Sequence, residues 1–154
     1  MLSNQLVFLN PLYLDDSPDV EPLGIDCAQA GGDFAVFVIP DKLELIRVQA
    51  LVTENCAGAT TTPIVKFDIR PVAGSDAGRG DGDGGTLKLA TTTAGHVVYD
   101  DAKEGAILYP GQEVVVELAQ AASGTGASGH FRPALVCKSV PELPVNMANM
   151  TRTD

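Results

Sequence analysis

The residues of this chain that could do chemistry are three cysteines, two histidines and a run of aspartates set among glycines. The run, "GSDAGRGDGDGG" at Gly74–Gly85, packs six glycines and three aspartates into twelve positions. Carboxylates at alternate positions of a glycine loop are what a calcium ion needs, with a glycine at the sixth position and a glutamate at the twelfth. Counted from Asp81, the third position is Asp83, but the fifth is Gly85 and the twelfth Thr92, so the pattern fails. A repeating β-roll reading fails as well, because the unit occurs once. Local calcium binding by Asp76, Asp81 and Asp83 is the sharper alternative, and an integrin-type role for Arg79-Gly80-Asp81 a weaker one. The favoured reading is a long mobile loop between strands, where glycine accepts any φ and aspartate stays solvated.

Cys27, Cys56 and Cys137 are an odd number at wide spacing with no CxxC pair, so zinc and redox motifs are missing. They read as buried thiols acting as small hydrophobes, which suits a reducing cytosol better than secretion. His96 and His130 have no acidic or thiol partner at ligand spacing. A nucleophilic pair of Cys137 with either histidine would have to be assembled in space, and no motif supports it. The chain carries no GxSxG, P-loop or HExxH element. "SGTGASG" is glycine-rich but precedes a strand, so it lacks the helix end that cradles phosphate. Asp100-Asp101 reads as a solvated turn. The expectation is a protein that is not an enzyme and takes no cofactor or metal.

The elements that must position these residues are strands. In "LIRVQALVT", Ile46, Val48, Ala50 and Val52 alternate with Arg47 and Gln49. In "PIVKFDIRP", Val65, Phe67 and Ile69 face one way while Lys66, Asp68 and Arg70 face the other. "TLKLA" offers Leu87 and Leu89, and "EVVVEL" offers Val114, Val116 and Leu118. "HFRPALVCK" sets Phe131, Leu135 and Cys137 opposite His130, Arg132 and Lys138. "DFAVFVIP" is more continuously apolar and fits a strand covered on both faces. Turns separate these runs: "ENCAGATTTP", "ASGTGASG" and "YPGQ", whose Pro-Gly centre suits type II. "DDAKEGA" has room for one helical turn at most. Short strands with turns every 8–12 residues or so predict an all-β fold, a single β-sandwich or jelly-roll-like domain.

With 154 residues, 45% hydrophobic and 19% charged, the chain fits one globular domain with a core of its own. The net charge is −10. Residues 1–41 hold seven acids and no lysine or arginine, while the remainder holds thirteen acids against ten bases. No basic cluster exists to displace counterions from phosphates, so no nucleic acid partner is expected. An acidic front favours solubility or a basic partner surface. "MLSNQLVFLNPLYLDD" lacks a basic n-region and is broken by Asn10 and Pro11, so neither a signal peptide nor a membrane span is expected.

Both ends differ from the middle. "NPLYLDDSPDVEPLG" has three prolines in fifteen residues, and "SVPELPVNMANMTRTD" has two in sixteen. Proline removes a ladder donor, so these segments are expected to be arms and not central strands. The division expected is an extended acidic N-terminal arm at residues 1–32, a β-sandwich domain at 33–140 and an extended tail at 141–154. Each arm carries apolar residues that a solvated tail would not use. Leu12, Tyr13, Leu14, Val20 and Leu23 at the front, with Leu143, Val145, Met147 and Met150 at the back, are the candidate partner-binding residues.

A small acidic β-sandwich with a proline-rich arm, the turn-strand "YPGQEVVVEL" and the closing "RPALVCKSVPELPVNMANMT" resembles the capsid decoration, or cement, proteins of tailed bacteriophages. The similarity is one of pattern over most of residues 33–151, and "PELPVNMANM" is its most telling piece. It implies a structural protein of the virion that binds the major capsid protein lattice on the capsid's outer surface and stabilises the shell. It also implies neighbouring copies as partners, a trimer above all, and assembly in a bacterial cytoplasm. Two rivals share the fold: another virion protein, at a head fibre base or a tail, and a carbohydrate-binding module. Against the second, tryptophan is absent, and Tyr13, Tyr99 and Tyr109 are the only tyrosines for stacking on sugar rings.

Overall fold

The computed structural model describes residues 5–14, 23–71, 82–90 and 92–140. They form eleven strands and, among the described residues, no helix: β1 (Leu6–Leu9), β2 (Leu12–Tyr13), β3 (Ile25–Asp26), β4 (Gly32–Val38), β5 (Leu43–Ala57), β6 (Ile64–Arg70), β7 (Gly82–Lys88), β8 (Val97–Asp100), β9 (Ile107–Leu108), β10 (Glu113–Gln120) and β11 (Ser128–Ser139). One sheet runs β1-β11-β5-β8, with β3 also beside β11 and β9 beside β5. The other runs β2-β4-β10-β6-β7. The fold is all-β, and every strand pair is antiparallel.

The period-two faces meet in one core. Val65, Phe67 and Ile69 of β6, Val114, Val116 and Leu118 of β10, and Phe131, Leu135 and Cys137 of β11 are all buried there with Val48, Ala50 and Val52 of β5. Ile46 departs from its expected place. Cys137 pairs with Leu45 and Val136 with Arg47, so Ile46 is the extra residue of a β-bulge. Leu43 and Leu45 therefore face inward before the bulge, Val48 and Ala50 after it, and Ile46 is only half-buried. Two-sided cover for β4 also fails. Ala35 and Phe37 are buried, but Val38 on the opposite face is exposed.

Proline is accommodated where the ladder can spare a donor. Pro133 falls between the stretch of β11 that pairs with β3 (130–131) and the stretch that pairs with β1 (135–138). At "YPGQ", Gln112 N–H donates to Tyr109 C=O over 3.0 Å and Gly111 has φ +85°, the turn its Pro-Gly centre requires. "DDAKEGA" makes hydrogen-bonded turns, Glu104 to Asp101 and Ala106 to Lys103, and no helix.

The expected boundaries fall differently in the described residues. Of the arm assigned to 1–32, β1, β2 and β3 belong to the sheets and pair with β11, β4 and β11. Pro11 sits between β1 and β2, where the chain passes from one sheet to the other and no ladder donor is needed. The tail at 141–154 lies outside the described residues. The glycine-aspartate stretch is shorter as a loop than expected, because Gly82–Gly85 begins β7 and pairs with Phe67, Asp68 and Ile69 of β6. Asp100 is also more than a solvated turn: its Oδ2 accepts Thr86 N–H at 2.8 Å, joining β8 of one sheet to β7 of the other.

Cys137 gives a first prediction. Burial pushes its thiol up to about 12 from 9.0. An unfolded thiol ionises near 9.0, so unfolding gains free energy as pH rises from that value toward 12, and stability falls across this window. Below it the neutral thiol contributes its full share. The expected result is that Cys137 of the native protein resists iodoacetamide at pH 8 and reacts at once in guanidinium, read by mass spectrometry of its peptide. Labelling at equal rates in both states would show that the side chain is not enclosed.

Candidate partner-binding surface

The surface is built by the N-terminal strands. In β1, Val7 and Leu9 pack against the core, and the alternation puts Leu6 and Phe8 outside. The strand is pinned by the register Leu6↔Lys138 to Leu9↔Leu135, and its end by a pair of bonds between Gln5 and Ser139 of 2.9 and 3.0 Å. Two residues later β2 starts on the other sheet. Tyr13 packs against the core beside Ala35, while Leu12 and Leu14 face out; Leu14 N–H donates to Phe34 C=O at 2.9 Å. Leu6 is 63% exposed, Phe8 61%, Leu12 65% and Leu14 53%. Four large apolar side chains thus flank one edge of the molecule, two on the outer face of each sheet.

The rest of the outer surface is mixed. On the β8 side of the first sheet, Leu51, Val97 and Tyr99 are exposed, and the Arg47 guanidinium lies 4.7 Å from the Tyr99 ring centre. Gln49 and Arg47 separate this group from Phe8 and its neighbour Val136. On the second sheet Val38 extends the Leu12 side. Farther across, the surface is charged: Arg70 bridges Asp33 and Asp68, each at 3.2 Å. Beside it lies an open hollow of about 490 Å³ lined by Lys66, Phe67, Asp68, Gly82, Asp83, Thr86 and Glu117.

Of the candidates drawn from sequence, Leu12 and Leu14 stand on the exposed edge. Tyr13 is turned inward onto its own core. Leu23 is exposed, with its carbonyl accepting the Thr53 hydroxyl of β5. Val20, Leu143, Val145, Met147 and Met150 lie outside the described residues. Leu6, Phe8, Val38, Val97 and Tyr99 were not anticipated. The alternation in "LVFL" was the available signal, since two inward residues at Val7 and Leu9 oblige Leu6 and Phe8 to point out.

The structure does not bring the considered nucleophilic pair together. Cys137 faces the core, whereas His130 lies on the opposite face of the same strand, about 23 Å away at 3.3 Å per residue. His96 lies by the far part of β5, where its carbonyl accepts Val52 N–H, while Cys137 pairs with Leu45. His130 Nδ1 instead meets Glu54 Oε1 at 3.2 Å. Of the calcium candidates, Asp83 spends Oδ1 on Gly85 N–H at 2.9 Å, and Asp76 and Asp81 lie outside the described residues. Among the described residues no group of three or more His, Cys, Asp or Glu is placed to hold a metal ion.

Comparison with known proteins gives no match: no family model, no curated protein and no solved structure aligns with the chain.

Proposed function

We propose that this chain is a non-enzymatic structural protein of a virion, a jelly-roll β-sandwich that binds the outside of a tailed-phage capsid lattice and stabilises the shell. The observation that carries the assembly part is the exposed apolar edge of Leu6, Phe8, Leu12 and Leu14. Two pairs of exposed apolar side chains, one on the outer face of each sheet along the same edge, mark a surface meant to be covered. They sit on strands fixed in the fold, so covering them requires little ordering of the backbone. Basic groups on the covering surface would complement the acidic front of the chain.

The strand order supports the jelly-roll form. The first-half strands β1, β4, β5 and β6 pair in turn with β11, β10, β8 and β7, as one long hairpin rolled into two sheets would. The double-sheet jelly roll recurs in viral capsid and lectin domains. The capsid and trimer parts of the reading rest on the resemblance of sequence pattern. A carbohydrate-binding role is the rival within the same fold. The hollow on the second sheet is lined mainly by charged groups, with no exposed aromatic ring among its lining residues to stack on a sugar.

The test is direct. Purified protein is sedimented alone, with expanded tailed-phage capsids, and in parallel applied to a glycan array. Co-sedimentation at a fixed number of copies per lattice site, with a self-associated form in the absence of capsids, is the expected result. A monomer that binds glycans and ignores capsids would replace this reading with the carbohydrate one.

A further inference from the structure

The thiols of Cys27 and Cys56 meet in the interior with Sγ···Sγ 3.5 Å, although 29 positions separate them in sequence. Their meeting is built by Gly129. Cys27 N–H donates to Gly129 C=O at 2.9 Å from the β3 side, and on the other side Ser128 pairs with Ala57, which places Cys56 next to Gly129. A Cβ on Gly129 would stand 2.7 Å from Sγ of Cys56, so the missing side chain leaves the space in which the sulfurs approach. Glu54 holds the glycine in place, its Oε1 accepting Gly129 N–H at 3.2 Å. Cys137 is buried elsewhere on β11, opposite Leu45.

We propose that Cys27 and Cys56 form a redox pair that a peroxide closes to an intramolecular disulfide, fastening the segment after β3 to the end of β5. The sulfurs need to close from 3.5 Å to about 2.05 Å, a change that rotation about the Cα–Cβ bonds can begin. Cys56 Sγ donates to the Glu54 carbonyl over 3.7 Å, which leaves the Cys27 thiol to donate to Cys56 and makes the two thiols unequal. The bond between the thiols holds the Cys27 proton well above the ordinary thiol range and lowers Cys56, which becomes the attacking thiolate. Cys56 Sγ attacks one oxygen of hydrogen peroxide, the O–O bond breaks, and a sulfenic acid forms with loss of hydroxide. Cys27 Sγ then gives up its proton and attacks Cys56 Sγ, expelling the second hydroxide. Two thiols lose two hydrogens, and one peroxide is reduced to two waters. Neither sulfur is accessible in the closed structure, so oxidation proceeds through local opening of this end of the sheet or before folding is complete.

The experiment treats the full chain with hydrogen peroxide in two ways: folded, and during refolding from guanidinium, which removes the barrier of burial. After quenching, free thiols are alkylated in denaturant and the peptides mapped by mass spectrometry. The expected product has lost two hydrogens, carries one alkyl group, on Cys137, and links Cys27 to Cys56. Its unfolding midpoint should stand about 5–10 °C above that of the reduced protein, returning on addition of dithiothreitol. Cys27→Ala should instead leave Cys56 as a singly oxidised acid with no internal bond. Refolded protein that keeps both thiols, that pairs Cys137 with either partner, or that oxidises Cys27 and Cys56 separately would overturn the proposal.

Discussion

Replacing Phe67 by alanine is expected to cost about 3–5 kcal/mol of folding stability, enough to lower the unfolding midpoint by roughly 10 °C. Phe67 is fully buried on β6, between Val116 of β10 and Gly85 of β7 in the ladder. Its ring stacks on that of Phe37 on β4, with centroids 6.3 Å apart and planes at 25°. With five phenylalanines and no tryptophan in the chain, few other side chains are large enough to fill the space. Truncation leaves a cavity, lost dispersion and a lost aromatic pair. Chemical denaturation measured by fluorescence or circular dichroism checks the figure. A loss below about 1 kcal/mol would mean that the two sheets can close over the gap.

Gly85→Val should be nearly as severe, at about 2–5 kcal/mol, for a different reason. Gly85 has φ +142°, and a Cβ there would lie 2.5 Å from Cγ2 of Val48 and 3.2 Å from Oδ2 of Asp100. Here β7 of one sheet crosses close over β5 and β8 of the other, and Asp100 already binds Thr86 N–H across the gap. A side chain must push the sheets apart or break that bond. The control is Gly82→Ala: its Cβ would meet nothing within 4 Å, so only the backbone conformation opposes it. If both variants unfold at the same denaturant concentration, the close approach at Gly85 carries no weight. Replacement of the whole "GSDAGRGDGDGG" run is accordingly a poor loop deletion, since it takes this corner of β7 with it.

Period-two alternation made the long strands legible. Val65-Phe67-Ile69, Val114-Val116-Leu118 and Phe131-Leu135-Cys137 are read directly from spacing, because each strand turns one face to the core, although Val115 and Val136 on the opposite faces are buried as well. The alternation misleads at Ile46, where a bulge shifts the phase by one residue and only the pairing partner reveals it. Short strands escaped for a related reason: β2, β3 and β9 are two residues each, below the length at which any period can be seen. Proline marked the N-terminal segment as a poor central strand, and that much agrees with β1 and β2 as edges. Composition cannot say whether an edge strand belongs to its own sheet or to a neighbour's. Likewise the spacing of Cys27 and Cys56 carries no hint of their meeting, which depends on how β3, β11 and β5 lie side by side.

Because Val7, Leu9 and Tyr13 lie on the core, truncating the N-terminus would damage the fold together with any interface. Point substitution at the exposed positions separates the two. The decisive measurement is therefore co-sedimentation of the double variant Phe8→Glu, Leu12→Glu with capsids, beside its unfolding midpoint and its own sedimentation coefficient. Both side chains are more than 60% exposed, so stability should change by less than about 0.5 kcal/mol for each. Losing about 1.5 kcal/mol of apolar burial at each site should weaken attachment or self-association about 100-fold. A folded double variant whose self-association and capsid binding match those measured for the unaltered chain would contradict the proposal that this edge does the binding.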